Sequence, residues 1–135
     1  MQSFPINFAA LVVATLAKGA LGWLWYSPMV FLKPWLQLTG VNDMQMKGGM
    51  GKAIAIETAG NFVMAFVLVH AVHYAGAHGA LQGAAVGFFN WVGFVLVVAL
   101  AAAAYENRPL ALVAINTGYQ LVGLLAMGAI VAVWV

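Results

Sequence analysis

Charge is nearly missing from this sequence. Five Lys/Arg and three Asp/Glu stand among 135 residues, 6% of the chain, where an ordinary soluble domain carries roughly a quarter. So few charges leave no basic stripe to follow a phosphate backbone, and nucleic acid is excluded as a partner. Cysteine is absent altogether, which removes disulfides, thiolate metal sites and cysteine nucleophiles. Also missing are a P-loop, a dinucleotide fingerprint and any pairing of Ser3 or Ser27 with a histidine and a carboxylate as a triad. Glu57 has no second carboxylate at useful depth. The sequence therefore predicts no enzyme and requires no cofactor.

What fills the space is apolar: 65% of the residues are hydrophobic. A chain this short must expose much of what it carries, so that excess needs an apolar solvent, which is lipid. Four apolar stretches, about Ile6 to Tyr26, Ala53 to Tyr74, Leu81 to Tyr105 and Leu110 to Trp134, each reach the roughly 20 residues that cross a hydrocarbon core of about 30 Å. The first lacks the basic flank of a signal peptide and outlasts its usual apolar run, so it reads as a retained helix. The expected fold is all-α: a single membrane domain, 1–135, with four antiparallel transmembrane helices and a short interfacial helical elbow between the first two, over about 27–52.

The few charges orient these spans. Lys33, Lys47 and Lys52 lie in the first connection and Arg108 in the third, while the Ala75 to Ala80 turn and both termini carry none. By the positive-inside rule the basic connections face the cytoplasm and both termini lie on the non-cytoplasmic side. In the elbow, Ser27 and Pro28 fit a helix cap and first turn, with a second start at Pro34. Phe31, Trp35, Leu36 and Leu38 with Lys33 and Gln37 suggest a helix lying in the interface and stopped at Gly40. Asn42 and Asp43 cap one further turn before Gly48, Gly49 and Gly51 break it. Trp23, Trp25, Tyr26 and Trp35 crowd one level, as lipid-anchoring aromatic belts do. Asn107, Arg108 and Pro109 reverse the chain tightly.

Lys18 and Glu57 are the only Asp, Glu, Lys or Arg residues inside the spans, and such groups are costly enough in lipid to mark candidate sites. At ~1.5 Å per residue, Lys18 lies roughly 12 Å in from Tyr26 and Glu57 roughly 7 Å in from Lys52, so both fall in the cytoplasmic half and their side chains can meet. Asn61 is one turn from Glu57; Asn116, Tyr119 and Gln120 share a face of the last helix; Thr15 is one turn from Lys18. The candidate intramembrane site is Lys18, Glu57, Asn61, Asn116 and Gln120, serving an ion, a proton or a small solute. Its bland rival is a structural ion pair with interhelical hydrogen bonds, or snorkelling of the two long side chains. His70, His73 and His78 cluster at the other end as weak metal candidates, and interfacial histidines without a metal are the expected state. Gly79, Gly83 and Gly87, four apart, form a stripe for close helix packing, in this chain or against another copy.

Two segments resemble a known family. Leu24-Trp25-Tyr26-Ser27-Pro28 with Phe31, Lys33 and Trp35 resembles the WYSPxxFGKxW motif of the bacterial membrane family catalogued as domain of unknown function 1761, with Leu32 where that family usually has glycine. Tyr105-Glu106-Asn107-Arg108-Pro109, Ile115-Asn116-Thr117-Gly118-Tyr119 and Met127-Gly128-Ala129-Ile130 resemble its closing helix hairpin. The resemblance runs nearly end to end and implies a multi-pass protein of the bacterial inner membrane. It supplies no activity. The expected partners are the lipid bilayer, further copies of the chain and, in a rival reading, another membrane protein. The first functional expectation is a homo-oligomeric transporter or channel-like protein using the polar layer. The second is a non-transporting scaffold or accessory subunit that packs through its glycine stripe and elbow. A weaker third is lipid binding by the basic, aromatic elbow.

Overall fold

The computed structural model describes residues 4–134, which contain five helices and no strand. They are α1 (Phe8–Trp25), α2 (Leu32–Thr39), α3 (Asp43–Tyr74), α4 (Gly79–Glu106) and α5 (Leu110–Val133). All but α2 are long and apolar enough to cross a membrane. The basic connections gather at one end of the bundle, here the basic end. The first and last described residues and the turn between α3 and α4 lie at the other, the terminal end, where Asn7 Nδ2 donates to the Trp134 carbonyl over 3.1 Å.

Local sequence sets each boundary. Asn7 caps α1 by accepting from the Ala10 amide, satisfying one of the donors that a helix start leaves open. Ser27 does not cap a following helix as expected: its hydroxyl turns back to the Leu24 carbonyl over 2.6 Å, and a run of turns delays α2 to Leu32. Pro34 then sits in the first turn of α2, where a missing amide hydrogen costs nothing. Gly40 ends α2 in the left-handed conformation, φ 72°, which glycine adopts without a Cβ clash.

The elbow is shorter than the sequence suggests. Asn42 and Gln45 form a reciprocal capping box, and the helix that begins there runs unbroken through Gly48, Gly49 and Gly51 into the second span. Glycine in a helix interior costs only about 0.5–1 kcal/mol relative to alanine. With a capped start and a long apolar continuation, three such costs do not stop propagation. The third span carries five residues of wider π-helical winding, Val92–Leu96, in mid-course. Asn107, at φ 55°, closes it, and Pro109 opens α5.

α5 is the hub. It touches every other helix and is the most buried of the spans, whereas α4 packs mainly along α5 and leaves most of its surface uncovered. Leu11 and Ala14 of α1, Ala65, Leu68, Val69 and Val72 of α3, and Leu124, Met127 and Val131 of α5 make a dry core in the terminal half. The α4–α5 seam is built on glycine: a Cβ added at Gly83 would overlap the Gly128 carbonyl, and one at Gly87 the Leu124 carbonyl. The expected stripe is thus used inside the chain. Gly79 does not belong to it; nothing lies within 4 Å of its Cβ position, and its φ of 83° serves the start of α4.

Candidate functional site

Lys18 is the largest fully buried side chain among the described residues, 1% exposed, on the α1 face that also buries Leu11, Ala14 and Thr15. An ammonium that far from solvent needs all three of its protons placed. They are placed on three acceptors: Asn61 Oδ1 at 2.8 Å, Glu57 Oε1 at 3.2 Å and the Tyr119 hydroxyl at 3.2 Å. The same ammonium stands 4.3 Å from the centre of the Tyr119 ring, within cation–π range. The Tyr119 hydroxyl donates in turn to Glu57 Oε1 over 2.5 Å. Three helices, α1, α3 and α5, therefore meet at one lysine, one carboxylate, one amide and one phenol.

Two glycines make the cluster fit. A Cβ at Gly123, one turn beyond Tyr119 on α5, would press on the Lys18 stem, and one at Gly22, one turn beyond Lys18 on α1, would meet the Tyr119 hydroxyl at 2.7 Å.

The remaining expected members lie elsewhere. Asn116 accepts from the Tyr26 hydroxyl at 2.8 Å, closer to the basic end. Thr15 folds back on the Leu11 carbonyl. Gln120 makes no hydrogen bond to the cluster, and its Oε1 is buried without a hydrogen-bond partner among the described residues. Of the predicted layer, the structure brings together Lys18, Glu57 and Asn61. It adds Tyr119, which the sequence offered as a face-mate of Asn116 and no more.

The aromatic elbow is also reassigned. Trp25 and Tyr26 are partly buried rather than lipid anchors: the Trp25 indole donates to the Ile115 carbonyl at 2.9 Å, its ring covers Gly118, and the Tyr26 ring lies edge-on to Tyr119 at 5.5 Å. Trp35 meets Tyr26 and Phe31 meets Trp25. The WYSP segment and the INTGY segment are thus the two sides of one joint. Only Trp23, 79% exposed, keeps the position of a belt residue. Pro28 and Lys33 are exposed and Ser27 is partly so.

At the terminal end His73 stacks on Phe4 at 3.8 Å, His70 Nδ1 is 2.7 Å from the Phe66 carbonyl and His78 precedes α4. Among the described residues no group of three His, Cys, Asp or Glu could hold a metal.

The cluster is closed on one side and open on the other. Met50, Ile54, Glu57, Asn61, Leu68 and Val72 follow one face of α3. Toward the terminal end that face is buried at Asn61, Leu68 and Val72; toward the basic end Ile54 is 58% and Met50 43% exposed. Glu57 sits at the transition, its side chain 43% exposed beside the buried Lys18. Its Oε1 takes both hydrogen bonds, while Oε2 has no partner among the described residues. Oε2 is not among the buried unpartnered atoms, which are Asn61 Nδ2 and Gln120 Oε1, so it reaches the surface.

A helical bundle with four helices fit to cross lipid and a charged cluster where three of them meet has the build of a polytopic membrane protein. The chain belongs to the family described as protein of unknown function (DUF1761), whose model matches residues 9–132. No curated protein and no solved structure matches it.

Proposed function

We propose that this chain is a small transporter or channel-like protein of the bacterial inner membrane, working as a homo-oligomer, in which Glu57 receives a passing ion or small solute. The observation that carries this reading is the unfinished carboxylate. Glu57 is held by Lys18 and Tyr119 through one oxygen and turns the other to the surface, within a helix apolar enough to cross a membrane. A purely structural ion pair gains by closing both oxygens, because an open one pays for desolvation without return.

The homo-oligomer belongs to the proposal because four helices of this length enclose little volume. One cleft lies at the terminal end against Phe4, Val69, His73 and Trp134, another between α4 and α5 against Trp91 and Thr117, and neither includes Glu57. In this proposal a path past Glu57 is completed between copies. The test is flux in vesicles with an entrapped pH-sensitive dye. Vesicles holding the native chain should dissipate an imposed proton gradient faster than empty ones, and Glu57→Gln should fall to the empty rate. Flux untouched by that substitution would remove Glu57 from the mechanism.

The scaffold reading loses one support and keeps another. Gly83 and Gly87 are filled by α5 and cannot receive a partner. The exposed first half of α3 and the elbow remain as its contact surface.

A further inference from the structure

From the geometry around Glu57 we infer that its outward oxygen is a binding position for an organic ammonium ion, entering from the basic end, with Lys18 as the resident cation that shares the same carboxylate. The inference rests on the site reading above and names its substrate class.

Lys18 is itself the template. A primary ammonium is already accommodated here by an amide oxygen, a phenol and a carboxylate, the shortest of the three bonds going to Asn61 and not to Glu57. Lys18 is thus held by two neutral groups and the face of an aromatic ring as well as by Glu57. Glu57 accepts from both Tyr119 and Lys18 through the same oxygen, Oε1. Oε2 can accept an N–H donor from outside the chain without displacing any existing bond.

The approach selects the rest of the ligand. From the basic end Glu57 is reached along Met50 and Ile54, both exposed and uncharged. Methionine packs adaptably against irregular apolar bodies. A hydrated metal ion gains nothing along that wall, whereas a cation with a hydrocarbon body buries apolar surface while its N–H reaches the carboxylate. Access from the terminal end is blocked by the dry core of Leu11, Ala14, Leu68, Val72 and Met127. The site is one-sided in this conformation.

The experiment is equilibrium dialysis of radiolabelled benzylammonium against the native full-length chain in lipid nanodiscs, with empty nanodiscs subtracted. The native chain should bind it, and excess sodium should not displace it. Glu57→Gln should bind at least about tenfold more weakly, the loss of a charge-assisted contact. Glu57→Asp, which keeps the charge, should retain measurable binding. Lys18→Met should bind at least about tenfold more tightly, because it removes the cation that now neutralises the carboxylate and leaves a carboxylate that needs one.

No binding by the native chain, binding indifferent to Glu57→Gln, or weaker binding by a folded Lys18→Met would each overturn the proposal, and displacement by sodium would overturn the organic class. Where a variant does not fold, infrared difference spectra of the native chain decide. Glu57 is the only carboxylate within the apolar spans, and benzylammonium should shift its stretching band. An unshifted band counts against the site. Binding without vesicle flux would leave this inference standing and refute transport; proton flux lost in Glu57→Gln without benzylammonium binding would do the reverse.

Discussion

Tyr119 ties together a lysine and a glutamate that also meet each other directly over 3.2 Å. Its hydroxyl accepts from Lys18 and donates to Glu57, so Tyr119→Phe leaves one ammonium proton and one carboxylate oxygen less well satisfied. The expected cost is about 1–2 kcal/mol, above the ~0.6 kcal/mol average for interhelical hydrogen bonds in a membrane, because both partners are charged. Thermal unfolding in detergent micelles measures it. Gln120→Leu is the contrast. It removes a buried carbonyl oxygen that has no partner, and unfolding should occur at the same temperature or higher. Lys18 and Glu57 were legible in the sequence because a charge in an apolar run is conspicuous, and Asn61 followed by helical spacing. Tyr119 was not, since a tyrosine in a membrane helix carries no such contrast. Asn116 and Gln120 were drawn in by sharing its face, although the helix rotation aims Asn116 at Tyr26. Trp25 and Tyr26 misled for a related reason. Aromatic residues at a span end usually meet lipid, and only the packed bundle reveals that Ile115 and Asn116 accept their protons.

Glycine plays opposite parts in different helices, and pattern alone does not separate them. In α4 a Cβ at Gly83 would run into backbone atoms of α5, which cannot yield as a flexible side chain would. Gly83→Ala should therefore destabilise the chain by about 1–3 kcal/mol, the usual cost of overpacking. Gly93→Ala, with nothing within 4 Å, should cost nothing measurable in the same unfolding assay. In the first half of α3 the sign reverses. Gly48 and Gly49 meet no atom within 4 Å and take helical backbone angles, so replacing both with alanine should stabilise by roughly 0.5–1 kcal/mol each, through the entropy of the unfolded chain. A loss of stability or of activity there would show that the bare face is a contact surface. The spans and their order were readable because length and apolarity suffice for them. The continuity of α3 was not, because three glycines near a capping signal look like a stop until the 32-residue helix they belong to is seen whole.

The distribution of charge over the whole molecule sets its expected orientation. At the basic end Asp43 pairs with Lys47 and Glu106 with Arg108, all four exposed. On a net-charge count these pairs would cancel half of the bias. The rule that orients membrane helices counts lysine and arginine and gives acidic residues little weight, so Lys33, Lys47, Lys52 and Arg108 all act in one direction and nothing at the terminal end opposes them. The basic end should therefore face the cytoplasm, and the ammonium route to Glu57 should open from inside. The absence of cysteine makes this directly measurable, since any introduced thiol is the only one present. Met44→Cys and Ala75→Cys place thiols at exposed positions of opposite ends. In intact cells a membrane-impermeant maleimide should label Ala75→Cys and leave Met44→Cys unmodified until the membrane is permeabilised. The reverse pattern would turn the bundle over and with it the direction of access. Labelling of both in intact cells would indicate that copies insert in both orientations, in which case every lysine that the sequence places at one end fails to decide the topology.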